Sequence, residues 1–243
     1  MLHVVGDTRV EKQAIANAWS GVSNCENCGI RHLALFADLE HTDFELIHKP
    51  IVEVEKKAGD RLYGEGDQGQ FLYTVRSGVI KLTQYLPDGG QRIVRLLRTG
   101  DVAGLEVLVN PTYEHYATVL RDAELCQIPR DVVERLNRET PRLHNQLLNR
   151  WHTAVKQADE WLTELSTGSS KSRVARLVIG LSDKVDNSCY LFSREDLGAI
   201  LGVTTETTSR IIAEFKREGS LKDLGKNHFL ADLVRLQNIA NEN

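Results

Sequence analysis

Residues 193–219 read SREDLGAILGVTTETTSRIIAEFKREG, and this stretch decides the fold. Ser193 is an N-cap residue with an acid three positions on, Asp196, and Leu197, Ile200 and Leu201 follow at helical spacing on one face. Gly202 and Val203 turn the chain, and Thr204 caps again. A second helix buries Ile211, Ile212 and Phe215 before Gly219 ends it. The pattern is a helix-turn-helix. Its outward face, near the start of the second helix, carries Thr205, Glu206, Ser209 and Arg210. These side-chain types read base edges: arginine pairs with guanine O6 and N7, a carboxylate accepts from cytosine N4, and serine meets a base edge or a thymine methyl. Glu206 and Arg210 are also i,i+4 partners, so the plainer alternative is a solvated helix face with one intrahelical ion pair.

Net charge is −4, unusual for a DNA binder until it is divided. From Gly168 onward there are 11 Lys+Arg and 10 Asp+Glu, or +1, which leaves 19 against 24, or −5, upstream. Binding to double-stranded DNA then rests on a few placed cations and on dimerisation, not on bulk charge.

Outward from the motif, Leu221 to Leu230 with its Gly225-Lys226-Asn227 turn predicts a β-wing, and Leu233, Leu236 and Ile239 a last helix. Upstream, Val174, Leu177, Val178 and Leu181 form one apolar helix face after a Thr167–Ser170 linker. From Thr140 the pattern is a long helix. Leu147, Ala154 and Trp161 occupy one heptad position and Trp151, Ala158 and Leu165 the other, the repeat of a two-stranded dimer seam. From Ile51 to Pro129 the texture is short β-type runs, VEV, FLYTV, VIKLTQY, RIVRLL and ATVL. Nine of the 18 glycines fall between Gly59 and Gly104, which predicts a compact antiparallel roll with Pro87–Gly90 as a hairpin tip. Leu39, Phe44, Leu46 and Ile47 predict a short helical cover before it.

The expected fold class is therefore α+β: an N-terminal antiparallel β-roll, a long dimerisation helix and a C-terminal winged helix-turn-helix. The expected domains are a tail at 1–24, a sensor domain at 25–139, the dimerisation helix at 140–167 and a DNA-binding domain at 168–243. No apolar run is long enough to span a membrane and no cleavable leader pattern opens the chain, so a cytoplasmic location is expected. There is no Gly-rich phosphate loop followed by Lys-Ser/Thr, no HExxH and no nucleophile elbow, and His41, His48 and His152 are scattered; an enzyme is not expected.

The order of parts resembles the CRP/FNR family of bacterial transcription regulators from about residue 25 to the end. Glu206-Thr207-Thr208-Ser209-Arg210 is similar to the E-x-x-S-R recognition signature of the FNR branch, and Gly59-Asp60, Gly78 and Gly100-Asp101 match the roll glycines. The resemblance implies a homodimer, TTGAT-type half-sites, a response to oxygen or redox state, and contact with RNA polymerase, with the Pro87–Gly90 hairpin as a candidate activating surface. The cyclic-AMP branch clamps phosphate with Arg-Ser, where this chain has His115 and Tyr116, and Glu106 is displaced by one from the ribose-binding position. A buried phosphate without a fixed cation is poorly held, so cyclic AMP is not expected.

The iron–sulfur branch implies three N-terminal cysteines and one distant cysteine. Cys25, Cys28 and Cys126 match, and Ala34 stands at the third N-terminal position. Three arrangements stay open. An iron–sulfur cluster could take Cys25, Cys28 and Cys126 with His32, Asp38, water or a small thiol in the fourth position. The three thiols could exchange disulfides. Or Cys126 is a buried strand residue sharing a face with Ile128. Cys189 is read as structural. Ala158 falls where the oxygen-sensing branch places a repelling carboxylate, so the cofactor-free protein is expected to be a dimer.

Overall fold

A computed structural model describes residues 35–242, apart from 45 and 48. Among the described residues, contacts divide the chain into two compact units, residues 35–83 with 95–154 and residues 84–94 with 155–242.

The first unit opens with a short helix, α1 (His41–Phe44), flanked by the buried Leu39 and Ile47. The strands are β1 (Val52–Lys56), β2 (Arg61–Tyr63), β3 (Phe71–Tyr85), β4 (Gln91–Leu97), β5 (Val102–Ala103) and β6 (Tyr116–Pro129). They form one sheet in the order β1-β6-β3-β4, with β2 paired to β6 and β5 to β3. The pairs involving β6, and β3 with β5, are antiparallel. Leu72, Val75, Ile80, Leu82, Ile93, Leu97 and Leu125 fill the roll.

The glycines have distinct uses. FLYTV and VIKLTQY are one strand rather than two, because Gly78 does not break the run. At φ +88 it sits among register shifts, and a Cβ there would stand 2.3 Å from the Asp122 carbonyl oxygen. Only glycine lets β6 approach so closely. Gly59-Asp60 and Gly100-Asp101 make two matching turns. Each glycine takes a positive φ, and each aspartate accepts from the backbone N–H three residues back, Lys57 and Arg98, at 2.8 Å.

Between roll and long helix lies α2 (Arg130–Glu139), which the sequence pattern does not separate from the sensor domain. Its Val132, Val133 and Leu136 are fully buried. Thr140, extended at φ −127 and ψ 108 ahead of Pro141, ends it. The long helix α3 (Pro141–Leu165) begins there, with Leu143 and Leu147 buried and Arg150 donating to the Gly100 carbonyl at 3.1 Å.

The second unit comprises α4 (Ser170–Leu181), β7 (Ser188–Tyr190), α5 (Arg194–Leu201), α6 (Thr205–Arg217), β8 (Leu221–Gly225), β9 (His228–Ala231) and α7 (Leu233–Asn241). Helix ends are closed by named side chains. Ser169 accepts from Ser172 N at 3.1 Å to start α4, and Arg173 donates to Leu201 O at 2.7 Å to finish α5. Arg176 reaches Thr167 O at 2.8 Å and Ala240 O at 2.8 Å, satisfying carbonyls that two helix ends leave open. The wing is a three-stranded sheet, β7-β9-β8, one strand more than the sequence pattern indicates. Cys189, on β7, is buried opposite Phe229, and burial pushes its thiol pKa up.

Candidate nucleic-acid interface

Helix α5 is capped by Ser193, whose hydroxyl accepts from Asp196 N at 3.0 Å. It ends at Gly202, at φ 64 and ψ 42, with Val203 N bonded back to Gly198 O at 3.1 Å. Gly198 is needed because a Cβ there would lie 2.7 Å from the Val203 carbonyl oxygen. Thr204 Oγ1 then accepts from Thr207 N at 3.2 Å, starting α6. The buried face of α6 is Thr208, Ile211, Ile212 and Phe215. The Thr208 hydroxyl has carbonyl acceptors at Arg194 (3.0 Å) and Thr205 (2.8 Å), so it pins α6 to the start of α5.

The opposite face is in solvent. Thr205, Glu206, Ser209 and Arg210 are all exposed in the first turns of α6. Glu206 and Arg210 form no ion pair with each other. Other i,i+4 pairs do, Arg130 with Glu134 at 2.6 Å and Lys156 with Glu160 at 3.8 Å. Glu206 is instead held in its charged form, below the usual carboxylate range, by its own backbone N–H and then by the Thr204 hydroxyl. An anion at a helix N-terminus is favoured by the helix dipole. The result is a carboxylate acceptor and a guanidinium with no ion pair among the described residues, one turn apart, with Ser209 beside them.

The exposed row continues through Ala213 to Arg217, seven residues on from Glu206 and Arg210. The wing adds Lys222 and Lys226, exposed and without ion pairs among the described residues. Its tip runs through three consecutive positive φ angles, Gly225 (92°), Lys226 (51°) and Asn227 (59°). Lys226 is legible in the sequence as part of a turn but neither cation as part of an outer face, because only the antiparallel pairing of β8 and β9 projects them. Several carboxylates of the unit are meanwhile consumed in its framework. Lys171 holds Glu214 at 2.7 Å and Glu218 at 3.4 Å, Lys216 holds Asp223 at 2.7 Å, and Arg235 holds Asp232 at 3.2 Å. A near-zero sum therefore coexists with free cations on the outer face.

The other residues singled out in the sequence are dispersed. Cys25, Cys28, His32 and Ala34 lie outside the described residues. Cys126 is half-buried on β6, between Glu53 of β1 and Thr74 of β3, not fully buried like Ile128. Asp38 is engaged by the Gln146 amide. Among the described residues no group of three or more His, Cys, Asp and Glu stands close enough to hold a metal, so one ligand of the expected cluster set is placed and no site is formed around it.

The residues of the expected dimer seam differ in exposure. Leu147, Ala154 and Leu165 are already covered by their own chain, at 6%, 8% and 8% exposure, while Trp151 and Trp161 are half-buried and Ala158 is exposed. The bare apolar row is Leu148, Val155 and Leu162, at 54%, 57% and 65%. Heptad spacing is satisfied by both columns; the burial of Leu147, Ala154 and Leu165 within their own chain leaves the second open.

Comparison with known proteins matches residues 53–139 to the cyclic nucleotide-binding domain and residues 172–239 to the Crp-like helix-turn-helix domain. The fumarate and nitrate reduction regulatory protein of Vibrio cholerae is 27% identical over 96% of this chain and 98% of its own length. The chain belongs to the CRP/FNR family. On the FNR side of that family, the anaerobic regulatory protein of Aggregatibacter actinomycetemcomitans is also 27% identical, over 90% of this chain and 89% of the relative. Among solved structures, FixK2 from Bradyrhizobium japonicum superposes with a TM-score of 0.71 at 24% identity, covering 79% of this chain and 98% of that one. The α+β class with its antiparallel roll and helix-turn-helix agrees with these structures. The relatives are transcription regulators rather than enzymes, and this chain is a transcription regulator with a DNA-binding helix-turn-helix. No described helix is long and apolar enough to cross a membrane.

Proposed function

We propose that the protein is a homodimeric regulator that reads an FNR-like dyad of TTGAT-type half-sites, with α6 of each protomer in the major groove. The observation that carries this is the exposed Glu206–Ser209–Arg210 face, capped by Thr204 and fixed from behind by Thr208. Arg210 takes guanine, Glu206 takes cytosine N4, and Ser209 and Thr205 meet neighbouring edges or phosphate. Lys222 and Lys226 of the wing reach phosphates beyond the half-site.

The homodimer is proposed through α3 along Leu148, Trp151, Val155, Ala158 and Leu162, a 3,4 repeat one residue on in its first column. The domain limits of the sequence reading, 25–139, 140–167 and 168–243, are kept as the functional division. The exposed Pro87–Gly89 tip of the β3–β4 hairpin is the proposed contact for RNA polymerase. A response to oxygen or redox state through Cys25, Cys28 and Cys126 is supported by the relatives' names and by the half-buried Cys126. Anaerobic purification with iron and labile-sulfide analysis tests it, and a colourless, iron-free protein removes the cluster and leaves thiol exchange or a purely structural Cys126.

The decisive experiment is Arg210→Ala on a fluorescent TTGAT dyad. It should cost about 1–3 kcal/mol of specific binding and leave non-specific DNA binding nearly unchanged. Unchanged specific binding would remove α6 as the reader and favour a sensor acting through protein contacts.

A further inference from the structure

Helix α5 ends without a cation of its own, since no basic residue lies in its last turn. The negative end of a helix is stabilised by a positive group, and here two arginines from other elements supply it. Arg173 of α4 donates to the Leu201 carbonyl at 2.7 Å. The second is Arg92, from residues 84–94 of the β3–β4 hairpin, which belong to the same compact unit as α5 and α6. Its guanidinium covers Gly202, the left-handed residue that closes α5: a Cβ built there would overlap the guanidinium, with Cζ at 2.8 Å. Gly202 is otherwise exposed, so Arg92 is the neighbour that a side chain at 202 would meet.

The hairpin presents Arg92 in a fixed direction. Leu86 N donates to Gly90 O at 2.7 Å, Gly89 N donates to Leu86 O at 2.9 Å, and Asp88 Oδ1 accepts from Gly90 N at 2.8 Å, so the tip is closed by its own bonds. On β4, Ile93 is buried and its neighbour Arg92 points to the opposite side of the strand. Arg92 forms no ion pair among the described residues, so no carboxylate accounts for its place over the turn. The rest of the tip stands back: Leu86, Asp88 and Gln91 line an open cleft of about 630 Å³ together with Glu195, Ala199 and Thr204. The grip on the turn therefore falls to Arg92.

We propose that Arg92 is a positioning residue for DNA recognition: by seating its guanidinium on the α5–α6 turn it fixes the start of α6, and with it Glu206, Ser209 and Arg210. Gly202 lies just ahead of Thr204, whose hydroxyl starts α6 by accepting from Thr207 N at 3.2 Å. With the turn held by Arg92 and the helix held from behind by Thr208, α6 presents its outer face in one direction. Pairing with base edges depends on that direction, whereas attraction to phosphate does not. Arg92 touches no base itself, and the proposal rests on α6 being the reader.

The test is titration of the full-length protein on the fluorescent TTGAT dyad and on a scrambled duplex, over a series of salt concentrations. Arg92→Ala should weaken specific binding about tenfold, with binding to the scrambled duplex and the salt slope both unchanged. Gly202→Asn, which keeps the left-handed conformation but displaces the guanidinium, should weaken it as much. The double variant should be no worse than either change alone, because both remove one contact. Urea denaturation checks that each variant is folded, and Arg92→Ala carries the test if Gly202→Asn is not. Unchanged specific binding in Arg92→Ala, or losses that add in the double variant, would overturn the positioning role. A salt slope lower by about one would overturn it too, since Arg92 would then be a phosphate contact. Arg210→Ala in parallel separates the two readings. If it loses specific binding and Arg92→Ala does not, the positioning role alone falls; if neither loses it, α6 is not the reader.

Discussion

Thr208 shows how much one side chain decides. In the sequence it is one of two threonines inside E-T-T-S-R, and its identity alone does not say which is outward. Helical spacing to Ile211, Ile212 and Phe215 sends Thr208 inside, leaving Thr207 near the surface. Its hydroxyl then serves the Arg194 carbonyl, a contact invisible in sequence because it spans 14 residues of chain and a turn. Thr208→Val, which keeps the shape, should cost about 1–3 kcal/mol, with Thr208→Ser recovering most of it, measured by urea denaturation followed by circular dichroism. Tyrosine offers a pH prediction. Burial raises Tyr63 well above its ordinary value and raises Tyr113 to about 12. A raised phenol favours the folded state fully below the ordinary value near 10.0, and that contribution is lost as pH climbs toward about 12. Absorbance at 295 nm should show a late phase that coincides with unfolding and shrinks in Tyr113→Phe.

Elements were legible where their signals are local. Caps at Ser193 and Thr204, glycine at 202 and the 3.6-residue period are consecutive in sequence, so α5 and α6 are legible in the sequence alone. Signals that depend on a neighbour could not. Gly78 reads as a break, but the close approach of β6 makes it a bulge in a 15-residue strand. β7 is only three residues long and gains its pairing from β9, so no pattern announces it. The α5–α6 turn gives a sharp test. Gly198→Ala puts a methyl 2.7 Å from a backbone oxygen that cannot swing away, and the two helices must separate. A loss of about 1–3 kcal/mol of stability is expected. Specific DNA affinity should fall with it, whereas Gly180→Ala, with open space around its Cβ position, should be nearly silent.

For the whole molecule, the proposed homodimer rests on the long helix α3. Its heptads gave a seam, but the phase of that seam depends on which side the rest of the chain covers, and that is tertiary information. Two substitutions separate the columns. Val155→Glu should convert the protein to monomer at micromolar concentration in sedimentation while its melting temperature holds. Leu147→Ala should leave the dimer and cost about 2–5 kcal/mol of folding stability, as buried leucine truncations do. Monomer from the second and not the first would restore the original phase. The adjacency of the columns also leaves a mark on sequence families. Positions 143, 147 and 154 should drift in concert with residues of their own chain. Positions 148, 155 and 162 should drift in concert with their own copies across the dyad, so a covariation map would show strong pairs along α3 that no single subunit can satisfy.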